Sequence, residues 1–269
     1  MDVMNTLLYE LNDHVATITL NRPEKRNAMN PTMHQEMSEL LKRVNADPQV
    51  RVIVITGSGK SFCAGADIKE FFKDLEDKPL LRDQILATAW DWMWKSLAES
   101  PKATIAMING HCYGGGLLVA MACDIAIAGD EAVFGLPEIN WGHVPGGAAS
   151  LKTIEFMGYR KALYYAMTGV GLNSKKAEEE GLITRSVAQA DLLNEVTVLA
   201  HLLAEKSPPA LKTVKEIYRN ASRMTIEQTH EFVNAKVDQL RLKDSDGLRH
   251  QGMNDFINKV AWGLNLIFG

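Results

Sequence analysis

Residues 104–128, TIAMINGHCYGGGLLVAMACDIAIA, decide the class of fold. A short apolar run (TIAMI) leads through Asn109-Gly110 to the glycine triplet Gly114-Gly115-Gly116. A helix-forming stretch follows, and a second apolar run, DIAIA, closes the segment. Strand, glycine turn, helix and strand in that order form a βαβ crossover, the unit of an α/β fold. Outward from it, residues 50–56 (VRVIVIT) read as another buried strand and residues 15–20 (VATITL) as an alternating one that stops at the turn signal NRPEKRN. Near-continuous apolar strands suit a sheet covered on both faces. Residues 31–46 carry Met33, Met37, Leu40, Leu41 and Val44 on one helical face, with Asn30 as N-cap.

Beyond Gly146 the pattern is helical, over roughly 148–157, 160–167, 174–180, 190–205, 208–221 and 225–244. Ser207-Pro208-Pro209 marks a boundary, because proline is tolerated in a first helical turn and disrupts an interior. The expected organisation is an α/β core over residues 1–205 and a C-terminal helical region over 206–269.

The 269 residues are 46% hydrophobic and 23% charged, with 29 basic against 33 acidic side chains and a net charge of −4. That balance gives no electrostatic case for nucleic acid or an anionic membrane. No apolar run approaches the roughly 18 residues of a membrane span, and the acidic first residues do not read as a signal peptide. Three cysteines without CxxC spacing indicate neither disulfides nor zinc, so a cytoplasmic setting is expected.

Several motifs fail on inspection. TGSGKS (56–61) lacks the first glycine of a phosphate-binding P-loop, because position 54 is Val54. The glycine triplet does not make GxGxxG, Ser150 is not in a GxSxG elbow, and the seven histidines form no HExxH, so no metal site is expected. Cys63 reads as a buried structural thiol, and Trp90, Trp92 and Trp94 as core or interface residues.

Two segments share a logic that survives. SFCAGADIKE (61–70) goes from a strand end through Gly65 into a helix, and NGHCYGGGLL (109–118) does the same after the strand TIAMI. Asp67 and Glu70 have capping-box spacing, which leaves the Ala66 amide free. Two amides from two such turns can converge on one oxygen and hold charge developing on a thioester carbonyl. The alternative is that the glycines only permit tight helix–strand packing. In FGLPEINWGHVPG (134–146), Glu138 stands among apolar residues that would raise its pKa toward proton-transfer range; the alternative is a solvated loop glutamate.

NRPEKRNAM, SFCAGADIKEF, INGHCYGGG and ACDIAIAGDEAVFGLPEINWG, in this order, resemble the crotonase, or enoyl-CoA hydratase/isomerase, superfamily over essentially the whole chain. The resemblance implies a spiral of ββα turns with a C-terminal region that helps build homotrimers, often paired into hexamers. It implies acyl-CoA thioester substrates, no cofactor beyond their coenzyme A moiety, and oxyanion-hole amides from Ala66 and Gly115. Lys25 would lie near a phosphate, with Ala64, Asp67 and Ile68 along the coenzyme A site. Pro137, Trp141 and Gly146 flank Glu138 as further substrate-binding positions. Typical hydratases of the superfamily carry a second glutamate where this chain has Leu118. One carboxylate still suffices to shuttle a proton between carbons, as in enoyl-CoA isomerases.

GLPEINWG, LYYAMTG, AKVDQLRLKDSDG and HQGM are most similar to the hydroxycinnamoyl-CoA hydratase-lyases. In that group a glutamate matching Glu138 supports water addition and then retro-aldol cleavage to an aromatic aldehyde and acetyl-CoA. The tyrosines that bind the phenol there are replaced here by Phe71 and Asn234, which implies a more apolar acyl pocket. The primary expectation is therefore a hydratase/isomerase working through a thioester enolate. The lyase is the alternative, and a non-catalytic acyl-CoA-binding member is the rival of another class.

Overall fold

The computed structural model of the protein describes residues 4–242 and 248–261. The chain begins with a hairpin, β1 (Leu7–Asn12) and β2 (Val15–Leu20), turned by Asp13 and His14 at positive φ. Helix α1 (Pro31–Ala46) follows. The Asn30 side chain accepts a hydrogen bond from the Met33 amide at 2.9 Å, and Pro31 sits in the first turn, where its missing N–H leaves nothing unpaired. The face that the sequence spacing marks out, Met33 through Val44, is buried.

From α1 onward one unit repeats. A strand enters a first sheet, a strand of three residues enters a second, and a helical segment returns the chain. β3 (Val52–Gly57) leads to β4 (Ser61–Cys63) and a helical segment containing α2 (Pro79–Trp90). β5 (Ala103–Ile108) leads to β6 (His111–Tyr113) and α3 (Gly115–Ala122). β7 (Ile125–Gly129) leads to β8 (Val133–Gly135), a 3-10 turn at Pro137–Trp141, α4 (Ala149–Met157) and α5 (Tyr159–Thr168). Then come β9 (Leu172–Asn173), α6 (Ser174–Glu179), β10 (Arg185–Val187) and α7 (Leu192–Ala204).

The first sheet has the order β1-β2-β3-β5-β7-β10 and is parallel from β2 on. The second has the order β4-β6-β8-β9, with β9 antiparallel. Every residue of β3 is buried, as a parallel strand covered on both faces requires. The fold is thus α/β, a ββα spiral. The residue patterning did not show the second sheet, which only the resemblance implied, because strands of two or three residues are too short to show alternation.

A second compact unit starts at Glu205 and holds α8 (Pro208–Ala221), α9 (Ile226–Leu242) and α10 (Leu248–Ala261). Pro208 and Pro209 open α8, and Lys236 on α9 bonds Glu216 on α8 at 2.7 Å. Residues 243 and 244, the expected end of the α9 helix, lie outside the described residues, as does the rest of the KDSDG stretch.

TGSGKS forms the bend between β3 and β4. The side-chain amide of Asn27 donates to the carbonyls of Ser58 and Ser61, and that of Asn109 to those of Gly57 and Gly59. No helix opens after it, so the amides do not form a phosphate cradle.

Candidate active site

Three loops at the ends of the second sheet's strands meet: 64–67 after β4, 114–115 after β6 and 136–138 after β8. The first is bound to the loop before α1. The Met29 amide donates to the Gly65 carbonyl at 2.7 Å, and the Asp67 amide donates to the Met29 carbonyl at 2.8 Å. In such a parallel bridge the amides on either side of the middle residue engage the neighbour, so the Ala66 N–H points away from Met29. Gly115 lies on that side. A Cβ placed on Gly115 would sit 3.6 Å from the Ala66 nitrogen, and one placed on Gly65 would sit 3.2 Å from the Gly115 nitrogen. The Gly115 amide is in the first turn of α3, where helical N–H groups have no intrahelical acceptor. Two amides therefore stand side by side without partners among the described residues.

Glycine is needed at both turns. Gly65 has φ +97°, and a Cβ there would approach the Tyr113 carbonyl oxygen to 2.9 Å. Gly114 has φ +52°, and a Cβ there would lie 2.8 Å from Oε1 of Glu138. The carboxylate is thereby placed beside the amide pair. Its Oε2 is buried without a hydrogen-bond partner among the described residues. Burial pushes the Glu138 carboxyl above the ordinary glutamate range, only partly offset by its own backbone amide and by the nearby His143.

A polar scaffold behind the wall holds the Ala66 loop. The Arg22 guanidinium bonds Asp67 at 3.0 Å, Glu70 at 2.7 Å and the Ala28 carbonyl at 2.6 Å, and Asn30 reaches the other Glu70 oxygen at 2.7 Å. Asp67 caps the following π-helical turn, accepting from the Lys69 and Glu70 amides. Burial alone would raise the Asp67 carboxyl; the Glu70 amide, Arg22 and the Lys69 amide outweigh it and hold the group below its usual range. The expected capping box is only half made, because the Glu70 side chain turns to Arg22 and Asn30 instead of to the Asp67 amide.

Ala66, Gly115 and Glu138 line a cavity of about 570 Å³ whose described walls all belong to the first unit. Of the positions singled out in the sequence, Ala64, Ala66, Ile68, Phe71, Gly115, Leu118, Pro137, Glu138, Trp141 and Gly146 are brought together on its wall. Three are not. Asp67 stands behind the wall, with both backbone groups and its side chain engaged. Lys25 is exposed on the 3-10 turn Pro23–Lys25 and is not among the wall residues. Asn234 lies exposed on α9 of the second unit, with its amide 3.1 Å from Nε2 of His230. Glu138 is the one carboxylate among the described wall residues, and the Leu118 position adds none.

The sequence reading missed Met29, His34, Phe72, Met93 and His143, which also line the cavity. It placed all three tryptophans in a core or interface. Trp92 is indeed buried and Trp94 packs in part against the core, but Trp90 and Trp94, four residues apart on one helical face, also line the cavity, with Trp92 turned the other way. Cys63 is fully buried and its thiol is pushed up to about 12, consistent with a structural role.

The enoyl-CoA hydratase/isomerase family model matches residues 10–263. The chain belongs to this family. It is 45% identical over 255 residues to the hydroxycinnamoyl-CoA hydratase-lyase of Pseudomonas fluorescens, covering 94% of this chain and 92% of that one. It is 32% identical over 247 residues to a mevalonyl-coenzyme A hydratase of Aspergillus fumigatus, covering 91% and 89%. Among solved structures, an enoyl-CoA hydratase of Geobacillus kaustophilus superposes with a TM-score of 0.86 at 31% identity, over 95% of this chain and 96% of that one. One from Polaromonas gives 0.87 at 26% identity, over 95% and 98%. This chain is accordingly an enzyme of the enoyl-CoA hydratase/isomerase family.

Proposed function

We propose that the protein acts on an acyl-CoA thioester through an enolate, with the Ala66 and Gly115 amides donating to the thioester oxygen and Glu138 moving the proton. The observation that carries this reading is the placement of one partially buried carboxylate beside two amides, its Oε2 and both amides having no partner among the described residues. On a 2-enoyl thioester, the Glu138 carboxylate takes a proton from water as the water oxygen bonds C3. The C2–C3 π electrons shift onto the thioester oxygen, and the acid so formed returns a proton to C2. On a 3-enoyl thioester the same carboxylate takes a proton from C2 and returns one at C4. In both cases the amides hold the negative charge between the two transfers.

In this reading Ala64 and Ile68 border the coenzyme A arm, while Phe71, Leu118, Pro137, Trp141 and Gly146 enclose the acyl group. Lys25 would lie near a phosphate of the coenzyme A, and Asn234 is a proposed substrate-binding position. Asp67 contributes by positioning Ala66. The chemistry uses no group beyond the substrate's coenzyme A, and the working assembly is a homotrimer or a pair of trimers.

A second reading, hydration followed by retro-aldol cleavage, is favoured by the 45% identity to the hydratase-lyase. Incubation with 2-enoyl-, 3-enoyl- and feruloyl-CoA, with separation of products, sorts the readings. A 3-hydroxyacyl product marks a hydratase, a shifted double bond an isomerase, and an aldehyde with acetyl-CoA a lyase. Failure to turn over any of the three counts against enolate chemistry at this site.

A further inference from the structure

His34 is 2% exposed on the inner face of α1, yet it lines the cavity. Its Nδ1 accepts a hydrogen bond from Nε1 of Trp92 at 3.0 Å, and an indole N–H can only donate. That fixes the imidazole in the tautomer whose proton is on Nε2. Burial lowers the ring's pKa to about 4, so it stays neutral at ordinary pH. Nε2 has no partner among the described residues. Trp92 is not on the cavity wall, whereas Phe71, whose ring is 5.5 Å from that of His34, is. The Trp92 side of the imidazole is thus turned into the core, which leaves the Nε2 edge for the cavity. Phe71 beside it is apolar, and the same wall carries Met29, Ala89 and Met93, a lining suited to an acyl group and not to a nucleotide.

We infer that the Nε2–H of His34 is a specificity-determining donor in the acyl pocket, selecting acyl-CoA thioesters whose acyl group carries an uncharged acceptor oxygen (hydroxyl, ether or carbonyl) remote from the thioester. The inference rests on the acyl-CoA reading above and narrows its substrate class. A purely hydrocarbon acyl group would bury this N–H unpaired, whereas an acceptor oxygen satisfies it. Trp92 serves as a positioning residue, since it holds the donor tautomer without touching substrate.

The test is calorimetric binding of saturated thioesters, which have no double bond to hydrate. The pairs are hexanoyl-CoA against 5-oxohexanoyl-CoA, and 3-phenylpropanoyl-CoA against its 4-hydroxyphenyl analogue. The wild type binds the oxygenated member of at least one pair roughly tenfold or more tightly than its plain partner. In His34→Leu that ratio falls to about one, and His34→Gln, which keeps an N–H donor, recovers part of it. Trp92→Phe lets the proton move to Nδ1 and narrows the ratio; should the leucine variant not fold, this variant decides. Binding of all four without preference in the wild type, or an unchanged ratio in the leucine variant (in Trp92→Phe if that variant decides), overturns the inference and leaves the acyl-CoA reading standing. No binding of any thioester overturns the acyl-CoA reading itself, and this inference with it.

Discussion

At the scale of single residues, the site carries one costly group and one buried switch. The Glu138 carboxyl titrates above its ordinary range because burial disfavours its charged form. Its folded-state pKa lies above the unfolded one, so the stability it contributes is full below the unfolded pKa and is lost as pH rises through the folded value. Glu138→Gln is therefore expected to lower turnover by at least about a hundredfold. The same variant melts at a higher temperature than the wild type at pH 7 and loses that advantage near pH 4, as paired melting curves would show. Equal melting at pH 7 would mean the carboxylate is not strained by burial. His34 has the opposite dependence. Its folded pKa of about 4 lies below the usual histidine value, so its contribution is full above about pH 6.5 and is lost as pH falls toward 4. Over that window the wild type should lose up to about 3 kcal/mol more stability than His34→Gln in denaturant titrations. Glu138 was legible in the sequence as a lone carboxylate among Leu136, Pro137 and Ile139. His34 was not, because a histidine on an apolar helix face does not reveal which of its edges meets a cavity.

At the scale of elements, function depends on turns and not on the strands that carry them. Gly114→Ala puts a methyl 2.8 Å from the Glu138 carboxylate and imposes a positive φ on an L-residue. Steady-state kinetics should show kcat falling more than tenfold with KM little changed, since the group displaced moves the proton; an unchanged kcat would place the carboxylate elsewhere in the working enzyme. Asp67→Asn breaks the charged contact to Arg22 while Glu70 keeps the other, and should cost about 2 kcal/mol of stability by urea unfolding together with a loss of kcat as the Ala66 loop relaxes. The ends of α1 were legible because Asn30 and Pro31 are unambiguous start signals and the apolar stripe is regular. β6 and β8 were not, since HCY and VFG read equally well as loop, and β4 showed only as a strand end. The turn glycines were legible as places of close approach, but what approaches each one is set by segments distant in sequence.

At the scale of the whole molecule, three successive ββα turns each supply one loop to the site, which explains why residues near 66, 115 and 138 meet. The spacing of the motifs disclosed the order of these turns, but not the second sheet that aligns their ends. Helices α4 and α5, which pack on each other, leave Ile154, Phe156, Leu163, Tyr164 and Met167 exposed. Light scattering after size exclusion should report three or six chains, and a monomer would contradict the proposed assembly. The central claim concerns charge and proton, and exchange at the α-carbon reads both. A saturated acyl-CoA incubated with the enzyme in D₂O should take up deuterium at C2, and Glu138→Gln should abolish that uptake while its Kd for the thioester stays within a few fold of the wild type. Undiminished uptake by Glu138→Gln, or none by a wild type that binds the thioester, would contradict the account.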